Sequence, residues 1–248
     1  MAREVTVSRN GVLYRLDLRD DVQREIYFDI YERSEVRGAL LLVPNGGICL
    51  DAGANNGAFA LQFAKQVGPK GLVHAFEPDF TVWSRLKENC LLNSFENRLY
   101  CHHLALTNRN GTAVFYKSDS VHSGWGSLAE FRDIAVQMET VKVTTLDDFL
   151  AGENLSRVDL LKVDVEAHEP ELLEGARASL QHHVFRYILI EFNGQRLKER
   201  GKTLNDFLHP LMAAGYKVVR PTSERLEDMT TGAVPIESVL INFLFAAP

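Results

Sequence analysis

The fold of this chain is decided by two runs of sequence, Cys49-Leu50-Asp51-Ala52-Gly53-Ala54-Asn55-Asn56-Gly57 and Leu72-Val73-His74-Ala75-Phe76-Glu77-Pro78. With the amphipathic segment between them, they predict a strand, a glycine-containing turn, a helix and a second strand that ends in an acid. Glycines at 53 and 57 allow the backbone to turn sharply close to a bound molecule. The acid after the second strand is placed to accept hydrogen bonds from both hydroxyls of a ribose. The pattern therefore predicts a nucleoside-binding site.

The spacing of the glycines narrows the kind of nucleoside. A dinucleotide fingerprint, G-x-G-x-x-G, needs a middle glycine where the pyrophosphate approaches the helix, and this chain has Asn55 there. A nucleoside without phosphates but with a polar tail fits better, and S-adenosylmethionine is such a molecule. Glycines that only shape a strand-to-helix turn are the alternative interpretation. We predict that the cofactor is bound by Asp51, Gly53, Ala54, Asn55, Asn56, Gly57, Glu77 and Pro78.

The composition limits the classes of function. The chain has 248 residues, 46% of them hydrophobic, which is enough for one substantial core. Its formal net charge of -6 and its scattered Lys and Arg provide no field for a polyanion, so nucleic acid is not expected as a partner. No apolar run reaches the length of a membrane span or of a signal-peptide core, so no membrane association or export is expected. Three cysteines without a C-x-x-C pair indicate reduced thiols and a cytoplasmic location.

The N-terminal part differs in pattern from the rest. Residues 5–18 alternate around Asn10-Gly11, which predicts a β-hairpin, and helices are predicted over residues 21–31 and 34–42. We expect residues 1–47 to form a hairpin and helical cap over the cofactor edge. Residues 48–248 are expected to form one globular unit that holds the cofactor.

From residue 48 onward, strands alternate with helices, which predicts an α/β fold with a doubly wound, mostly parallel sheet. Strands are predicted over 48–51, 72–77, 99–106, 158–165 and 187–192, and helices over 58–67, 81–93, from Pro170 and over 204–214. Two last strands, 216–219 and 238–245, follow each other without a helix between them. A parallel sheet that ends in an antiparallel hairpin is the Rossmann-like architecture of class I methyltransferases.

An insertion interrupts this alternation between the third and fourth strands. It contains a predicted hairpin around Asn110-Gly111, a loop of small residues over 118–127 and a strand over 140–144. A loop of this length is more often functional than idle. Trp125 within it either covers the substrate or adenine, or packs inward.

Candidate catalytic residues follow the fourth strand. The run Val158-Asp159-Leu160-Leu161-Lys162-Val163-Asp164-Val165-Glu166-Ala167-His168-Glu169 is an apolar strand that ends in acids and a histidine. Ligands of doubly wound sheets bind beyond the carboxyl ends of the strands, and alternate residues share a face while the backbone stays extended. Methyl transfer from a sulfonium requires an aligned acceptor and a group that takes its proton. We predict Asp164, Glu166 and His168 for these tasks, with Glu191 on the acceptor side.

Other interpretations of these side chains stay open. Asp164 could instead bind the amino group of the cofactor. Glu166 and Glu169 could stabilise the N-terminus of the following helix, which we favour for Glu169, and His168 could cap it. Asp164, Glu166 and His168 could also ligate Mg²⁺ or Mn²⁺, although their spacing is not specific for a divalent metal. Glu191 could be a solvated strand end.

Four motifs together resemble the FkbM family of S-adenosylmethionine-dependent methyltransferases. They are Asp51-Ala52-Gly53-Ala54-Asn55-Asn56-Gly57, Phe76-Glu77-Pro78, Thr145-Leu146-Asp147-Asp148-Phe149 and Lys162-Val163-Asp164-Val165-Glu166-Ala167-His168-Glu169. The resemblance covers residues 48–192 and implies methylation of a hydroxyl on a sugar, polyketide, peptide or similar natural product. The family pattern usually has glycine where this chain has Ala167, and alanine disfavours a positive φ.

The sequence thus predicts an S-adenosylmethionine-dependent methyltransferase that acts on an oxygen of a small-molecule acceptor. N-methylation of an amine or amide, a non-catalytic nucleoside-binding module and a nicotinamide-dependent oxidoreductase are the alternatives. The acids after the fourth strand argue against the binding module, and the missing middle glycine argues against the oxidoreductase. A homo-oligomer is compatible with the sequence.

Overall fold

A computed structural model describes residues 4–117, 123–129, 137–221, 229–230 and 234–248. The strands are β1 (Glu4–Arg9), β2 (Val12–Asp17), β3 (Ile48–Ala52), β4 (Leu72–Phe76), β5 (Leu99–His102), β6 (Ala105–Leu106), β7 (Gly111–Lys117), β8 (Gln137–Thr144), β9 (Val158–Val163), β10 (Phe185–Asn193), β11 (Lys217–Arg220) and β12 (Leu240–Ala246). The helices are α1 (Asp21–Tyr27), α2 (Arg33–Leu40), α3 (Ala60–Val67), α4 (Phe80–Leu92), α5 (Leu146–Gly152), α6 (Glu169–Glu174), α7 (Arg177–Gln181), α8 (Gly194–Glu199) and α9 (Leu204–Ala213).

The central sheet of the described residues has seven strands in the order β5-β4-β3-β9-β10-β12-β11. β5, β4, β3, β9 and β10 are parallel, and β12 is antiparallel to both of its neighbours, β10 and β11. The predicted doubly wound, mostly parallel sheet with an antiparallel ending is confirmed. Chain order reverses between β3 and β9, and this reversal opens a crevice at the carboxyl ends of the two strands.

Both faces of the central sheet are buried, as is usual for parallel strands. All six residues of β9 are buried, and its apolar residues are divided between two hydrophobic clusters. Leu161 packs with the helices on one face, and Leu160 packs on the other face with α3 and with the N-terminal hairpin. No helix in the described ranges is long and apolar enough to span a bilayer.

The N-terminal hairpin forms as predicted, because Asn10 and Gly11 both have positive φ (49° and 72°) and make the two-residue turn between β1 and β2. The hairpin is attached to α4, whose Asn89 Oδ1 accepts a hydrogen bond of 2.7 Å from the backbone N–H of Arg15. The predicted helix over 21–31 is too long. It ends at Tyr27, and the backbone is left-handed at 29 and 32.

The insertion differs most from its prediction. The predicted strand 99–106 is divided between the central sheet (β5) and a second sheet of order β6-β8-β7. The hairpin predicted around Asn110-Gly111 is also wrong, since β6 and β7 lie on opposite sides of β8. Asn110 instead binds the end of β8, where its Oδ1 accepts from the hydroxyl of Thr144 (2.9 Å). Residues 118–122 of the predicted loop lie outside the described residues.

The helix predicted to open at Pro170 is two short helices, α6 and α7. They part at Gly175, where an added Cβ would lie 2.0 Å from the carbonyl oxygen of Thr107. Helix α8, directly after β10, was not predicted, and Asn193 caps it by accepting from the N–H of Arg196 (3.2 Å). The predicted helix α9 begins at a capping box formed by Thr203 and Asp206.

Candidate active site

A cavity of about 720 Å³ lies at the carboxyl ends of β3, β4, β9 and β10, where chain order in the sheet reverses. Of the predicted site residues, those that line it are Gly53, Asn55, Glu77, Pro78, Asp164, Glu166, His168 and Glu191. Those that do not line it are Asp51, Ala54, Asn56 and Gly57. The cavity wall is completed by α1, by the turn at 123–125 and by α8.

The turn after β3 has its shape for a reason that the sequence pattern did not reveal. Gly53 has a φ of 77°, and a Cβ there would lie 1.7 Å from the carbonyl oxygen of Asp164. The first requirement for glycine is therefore the close approach of the chain after β9 rather than of a ligand. Gly53 and Ala54 both donate backbone hydrogen bonds to Phe76 O (3.0 Å each), which fixes the turn over the end of β4.

Three predicted residues support this turn from behind. The side chain of Asn56 is fully buried, and the backbone carbonyl oxygen of Asn56 accepts from Asn89 Nδ2 (3.1 Å). Gly57 has a φ of 98°, and a Cβ there would lie 2.8 Å from the side chains of Leu61 and Leu86. Ala54 is likewise buried. These residues hold the backbone of the turn and do not face the cavity.

Glu77 presents a fixed carboxylate to the cavity. Its Oε2 accepts from Asn55 N–H (3.0 Å), its Oε1 accepts from Asp79 N–H (2.9 Å), and only 6% of the residue is exposed. Burial raises the pKa of Glu77 to about 8, although these two hydrogen bonds oppose the rise. Each carboxylate oxygen has a second lone pair, so Glu77 can still accept from two hydroxyls in the cavity.

The end of β9 does not continue as predicted. The strand ends at Val163, and both Glu166 and Ala167 are left-handed, with φ of 53° and 65°. The idea that alternate residues from Asp164 onward share one extended face is therefore wrong, and Glu166 reaches the cavity through a turn. Glu169 holds this turn, since its Oε1 accepts from the N–H groups of Val165 (3.1 Å) and Ala167 (3.2 Å).

Carboxylates from three separate elements meet on the far side of the cavity. Oxygens of Glu32, Asp164 and Glu191 all lie within 4.8 Å of one another. Glu32 belongs to the N-terminal cap, where it precedes α2 in a left-handed backbone (φ 36°, ψ 39°). In the described ranges this is the group close enough together to hold one cation, and it differs from the set Asp164, Glu166 and His168 considered above.

Burial dominates the electrostatics of this acidic group. It raises the pKa of Glu32 to about 7 and that of Glu191 well above its ordinary value. Burial and then Asp164 raise the pKa of Glu166 to about 8, whereas Arg196, whose Nε lies 3.6 Å from Glu166 Oε2, lowers it. At neutral pH, several of these acids therefore hold protons in the free protein.

His168 is separated from the acids by its own contacts. Its Nε2 lies 2.9 Å from the hydroxyl of Thr107, and its Nδ1 lies 3.7 Å from Glu171 Oε2. Burial lowers the pKa of His168 to about 4, so the ring is neutral at physiological pH. The side chain lines the cavity but is not close enough to the carboxylates to complete a cation site with them.

Sequence reasoning missed several charged residues at or next to the cavity, among them Lys162, Glu32 and Arg196. Lys162 is 97% buried within β9, and its Nζ donates to Asp164 Oδ2 (3.1 Å). A lysine in an otherwise apolar strand was the signal that could have identified it, because lysine is rarely buried without a partner. Glu32 gave no comparable signal, since an acid between two short helices is ordinary.

Trp125 lies at the mouth of the cavity with 48% of its surface exposed. The guanidinium carbon of Arg196 lies 5.6 Å from the centre of its ring. Near this point the insertion contacts the turn after β9, because the hydroxyl of Ser127 donates a hydrogen bond to the backbone oxygen of Glu166 (2.8 Å). Of the two interpretations of Trp125, the exposed position favours contact with a bound molecule.

Comparison with known protein families shows which family the chain belongs to. The model of the FkbM methyltransferase domain matches residues 51–218, which include the turn after β3, the acids after β9 and Glu191. The chain belongs to the FkbM methyltransferase family. The predicted family resemblance is confirmed.

Relatives of this FkbM protein include two O-methyltransferases. It is 28% identical over 168 residues to the 2-O-methyltransferase NoeI of Sinorhizobium fredii, covering 61% of this chain and 65% of the relative. It is 29% identical over 180 residues to the 31-O-demethyl-FK506 methyltransferase FkbM of Streptomyces tacrolimicus, covering 61% and 66%. The chain thus spans slightly less than two thirds of the length of each.

Solved structures support the fold. Fibrillarin of Methanococcus jannaschii, a pre-rRNA processing protein, matches with a TM-score of 0.50 and 14% identity over 99% of this chain and 83% of that one. A proposed rRNA methylase from Clostridium thermocellum matches with a TM-score of 0.53 and 12% identity over 86% and 93%. At such identities the likeness concerns the fold alone.

The cavity of this FkbM domain fits S-adenosylmethionine. Glu77 keeps two free lone pairs for ribose hydroxyls, and the carboxylate of Asp164 is available for an ammonium group. Phe76, Leu104 and Leu106 give part of the wall an apolar surface suited to a flat base.

The titration of buried groups predicts how the stability of the free protein depends on pH. Burial raises the pKa of six carboxyls, to about 8 for Glu77 and Glu166, about 7 for Glu32 and Glu169, about 6 for Asp51 and well above the ordinary value for Glu191. It lowers the pKa of His74, His102 and His168 to about 4. At pH 6.5 these histidines are about half protonated in the unfolded chain, and above about pH 7.5 they are neutral in both states. The folded protein holds more protons on its raised carboxyls than the unfolded chain holds on the histidines throughout this interval.

Stability should therefore fall as pH rises through this interval. We expect a loss on the order of 4 kcal/mol in the free energy of unfolding between pH 6.5 and 8.5. Chemical denaturation of the ligand-free protein at both pH values is the measurement. A Glu77→Gln variant should lose less over the same interval. Stability that is constant or rises would show that the acids are ionised in the folded protein.

Proposed function

We propose that this protein transfers a methyl group from S-adenosylmethionine to a hydroxyl of a small-molecule acceptor. The observation that carries the proposal is one cavity with two chemically different ends. The carboxylate of Glu77 is held by backbone N–H groups at one end, and the acids Asp164, Glu166 and Glu191 gather at the other. Family membership supports methyl transfer, and the names of the two O-methyltransferase relatives support oxygen as the acceptor atom.

The cofactor end is proposed to work through few direct contacts. Glu77 accepts from the ribose hydroxyls, with Gly53, Asn55 and Pro78 as the neighbouring wall. Asp164 accepts from the amino group of the methionine part. Ala54, Asn56 and Gly57, predicted as binding residues, act by fixing the turn. Asp51, also predicted, lies within β3 with its carboxylate 3.8 Å from Lys162 Nζ. When bound, S-adenosylmethionine supplies the methyl group on a sulfonium, an electrophile that needs no further activation.

The acceptor end is proposed to orient a hydroxyl and to take its proton. Glu166 is the general base, because a pKa of about 8 lies near the operating pH and Arg196 stabilises its ionised form. Glu191, whose pKa burial raises well above the ordinary range, stays protonated and donates a hydrogen bond to the acceptor. His168, which is neutral and bonded to Thr107, shapes the wall.

The nature of the acceptor follows from the charge of the cavity. Eight acids and a single arginine are among the lining residues within the described ranges. Such a lining repels phosphates, so we propose a small molecule rather than a nucleic acid as the substrate. It also attracts amines, which is the observation that favours N-methylation as the second candidate. Cys49, Cys90 and Cys101 are free thiols, which supports a cytoplasmic location.

Methyl transfer itself tests the proposal. The protein is incubated with S-adenosylmethionine that carries a trideuterated methyl group and with a panel of hydroxylated sugars, macrolides, cyclic peptides and matched amines. Mass spectrometry then follows labelled products and S-adenosylhomocysteine. We expect the label on an oxygen of at least one acceptor. Label found on nitrogen alone would favour the second candidate, and no acceptor-dependent turnover by a cofactor-bound protein would contradict the proposal.

Glu77→Gln should weaken S-adenosylhomocysteine binding. Glutamine keeps the size of the side chain but cannot ionise. At about pH 9, above the Glu77 pKa of about 8, each ribose hydrogen bond therefore loses its charge-assisted strength of about 1.5–3 kcal/mol. We expect a loss of affinity of roughly 10- to 100-fold by isothermal titration calorimetry. Glu153→Gln, an exposed acid after α5, is the matched control and should bind like the wild type. Unchanged affinity in Glu77→Gln would remove this residue from the site.

A further inference from the structure

Lys162 is a charged residue inside the most buried strand of the sheet. It lies in β9 between Asp51 of β3 and Leu189 of β10. Its Nζ cannot be solvated there, and an unpaired ammonium in such a place would be strongly destabilising. A buried ammonium at this position therefore requires charged or polar partners that compensate for its lost hydration.

The polar partners of Lys162 lie in β3, in the turn after β3 and at the end of β9. The Nζ atom lies 3.1 Å from Asp164 Oδ2, 3.5 Å from Gly53 O and 3.8 Å from Asp51 Oδ1. It also lies 5.0 Å from the centre of the Phe59 ring. Lys162 thus joins the end of β9 to the turn after β3, the two segments that form the crevice.

The charges around Lys162 are unequal. Carboxylates of Asp164, Asp51 and Glu32 face it, and Glu166 lies within its electrostatic influence. Burial lowers the pKa of Lys162, but the three nearest carboxylates raise it by more, so it lies above its ordinary value. The ammonium is therefore permanently charged, and it is the internal cation that offsets this group of acids.

Lys162 does not itself line the cavity, whereas Asp164 and Gly53 do. We propose that Lys162 is a positioning residue, which holds the Asp164 carboxylate in place, aimed at the amino group of S-adenosylmethionine. This role rests on the proposed function. A carboxylate held by a fixed ammonium on one side presents its remaining lone pairs to the cavity on the other.

A double-mutant cycle separates positioning from a purely structural role. Lys162→Met, Asp164→Asn and the double variant are titrated with S-adenosylhomocysteine. If Lys162 acts through Asp164, each single change should weaken binding on the order of tenfold or more, and the double variant should bind no more weakly than Asp164→Asn. Lys142→Met, an exposed lysine on β8, is the matched control and should bind like the wild type.

Folding is checked in the same samples by circular dichroism and thermal unfolding. If Lys162→Met does not fold, Lys162→Arg and Lys162→Gln replace it, and the charged variant should bind more tightly than the neutral one. Penalties that multiply in the double variant, or wild-type affinity in a folded neutral variant, would overturn this role alone. A wild-type protein that does not bind S-adenosylhomocysteine would overturn the proposed function, and this role with it.

Discussion

Replacing Glu166 with glutamine is expected to lower the single-turnover rate of methyl transfer by roughly 10² to 10⁴-fold, with a much smaller change in cofactor affinity. Glutamine keeps the shape of the side chain and its place beside Arg196, but it cannot accept a proton. In the wild type, the rate should rise with pH through about 8, where Glu166 ionises. The variant should lack this limb.

Two further variants complete the test of the base. His168→Ala should retain most of the rate, because the ring is neutral and bonded to Thr107 rather than to the acids. Glu153→Gln should be indistinguishable from the wild type. Full single-turnover activity in Glu166→Gln would show that alignment of the acceptor alone drives transfer. A large loss of rate in His168→Ala would identify His168 as the general base instead.

Gly53→Ala is expected to have the largest effect on stability. The added methyl would lie 1.7 Å from the backbone carbonyl oxygen of Asp164, and no rotamer change can move a backbone atom away. The φ of 77° adds a cost of about 1–2 kcal/mol for any residue with a Cβ. Together with the steric overlap, we expect a loss of at least about 3 kcal/mol in the free energy of unfolding.

Gly38→Ala is the matched control for Gly53→Ala. An added Cβ at Gly38 of α2 has no neighbour within 4 Å, and its φ is not positive. Alanine there should stabilise the protein by about 0.5–1 kcal/mol, the usual gain in a helix interior. Urea denaturation measures both variants. Near-native stability of Gly53→Ala would mean that the chain after β9 does not pass so close to the turn.

The parts of the fold that sequence predicted best depend on neighbouring residues. The helix after β3 and the capping box of α9 are each encoded within about ten residues, because their periodicity and their capping residues specify the local geometry. The alternation of strands and helices then fixed the sheet, because parallel strands require crossovers. The N-terminal hairpin followed from Asn10 and Gly11 for the same reason.

The errors concern contacts between distant segments. Asn110-Gly111 has the composition of a hairpin turn, but Asn110 binds Thr144, and β8 separates the strands that the turn was expected to pair. The sequence pattern predicts one continuous strand over 99–106, whereas its last part, β6, belongs to the second sheet. Periodicity does not reveal which sheet a short strand joins.

In the candidate site, too, the features set by neighbouring residues were predicted and those set by distant segments were not. Glu77 and Asp164 lie in the cavity as expected, because the carboxyl ends of adjacent parallel strands meet at one edge. Glu32 reaches the acidic group because its own backbone is left-handed. It lies more than 100 positions before Asp164 in the chain, and no local sequence pattern predicts this contact. The left-handed turn at Glu166 and Ala167 forms without the usual glycine, held by Glu169.

The central claim is that one cavity holds S-adenosylmethionine between Glu77 and the acids after β9. A crystal structure of the wild-type protein with S-adenosylhomocysteine tests it most directly. The account predicts ribose hydroxyls within hydrogen-bond distance of Glu77, the amino group on Asp164 and the sulfur facing Glu166 and Glu191. A ligand bound outside this cavity, or one whose ribose does not contact Glu77, would contradict it.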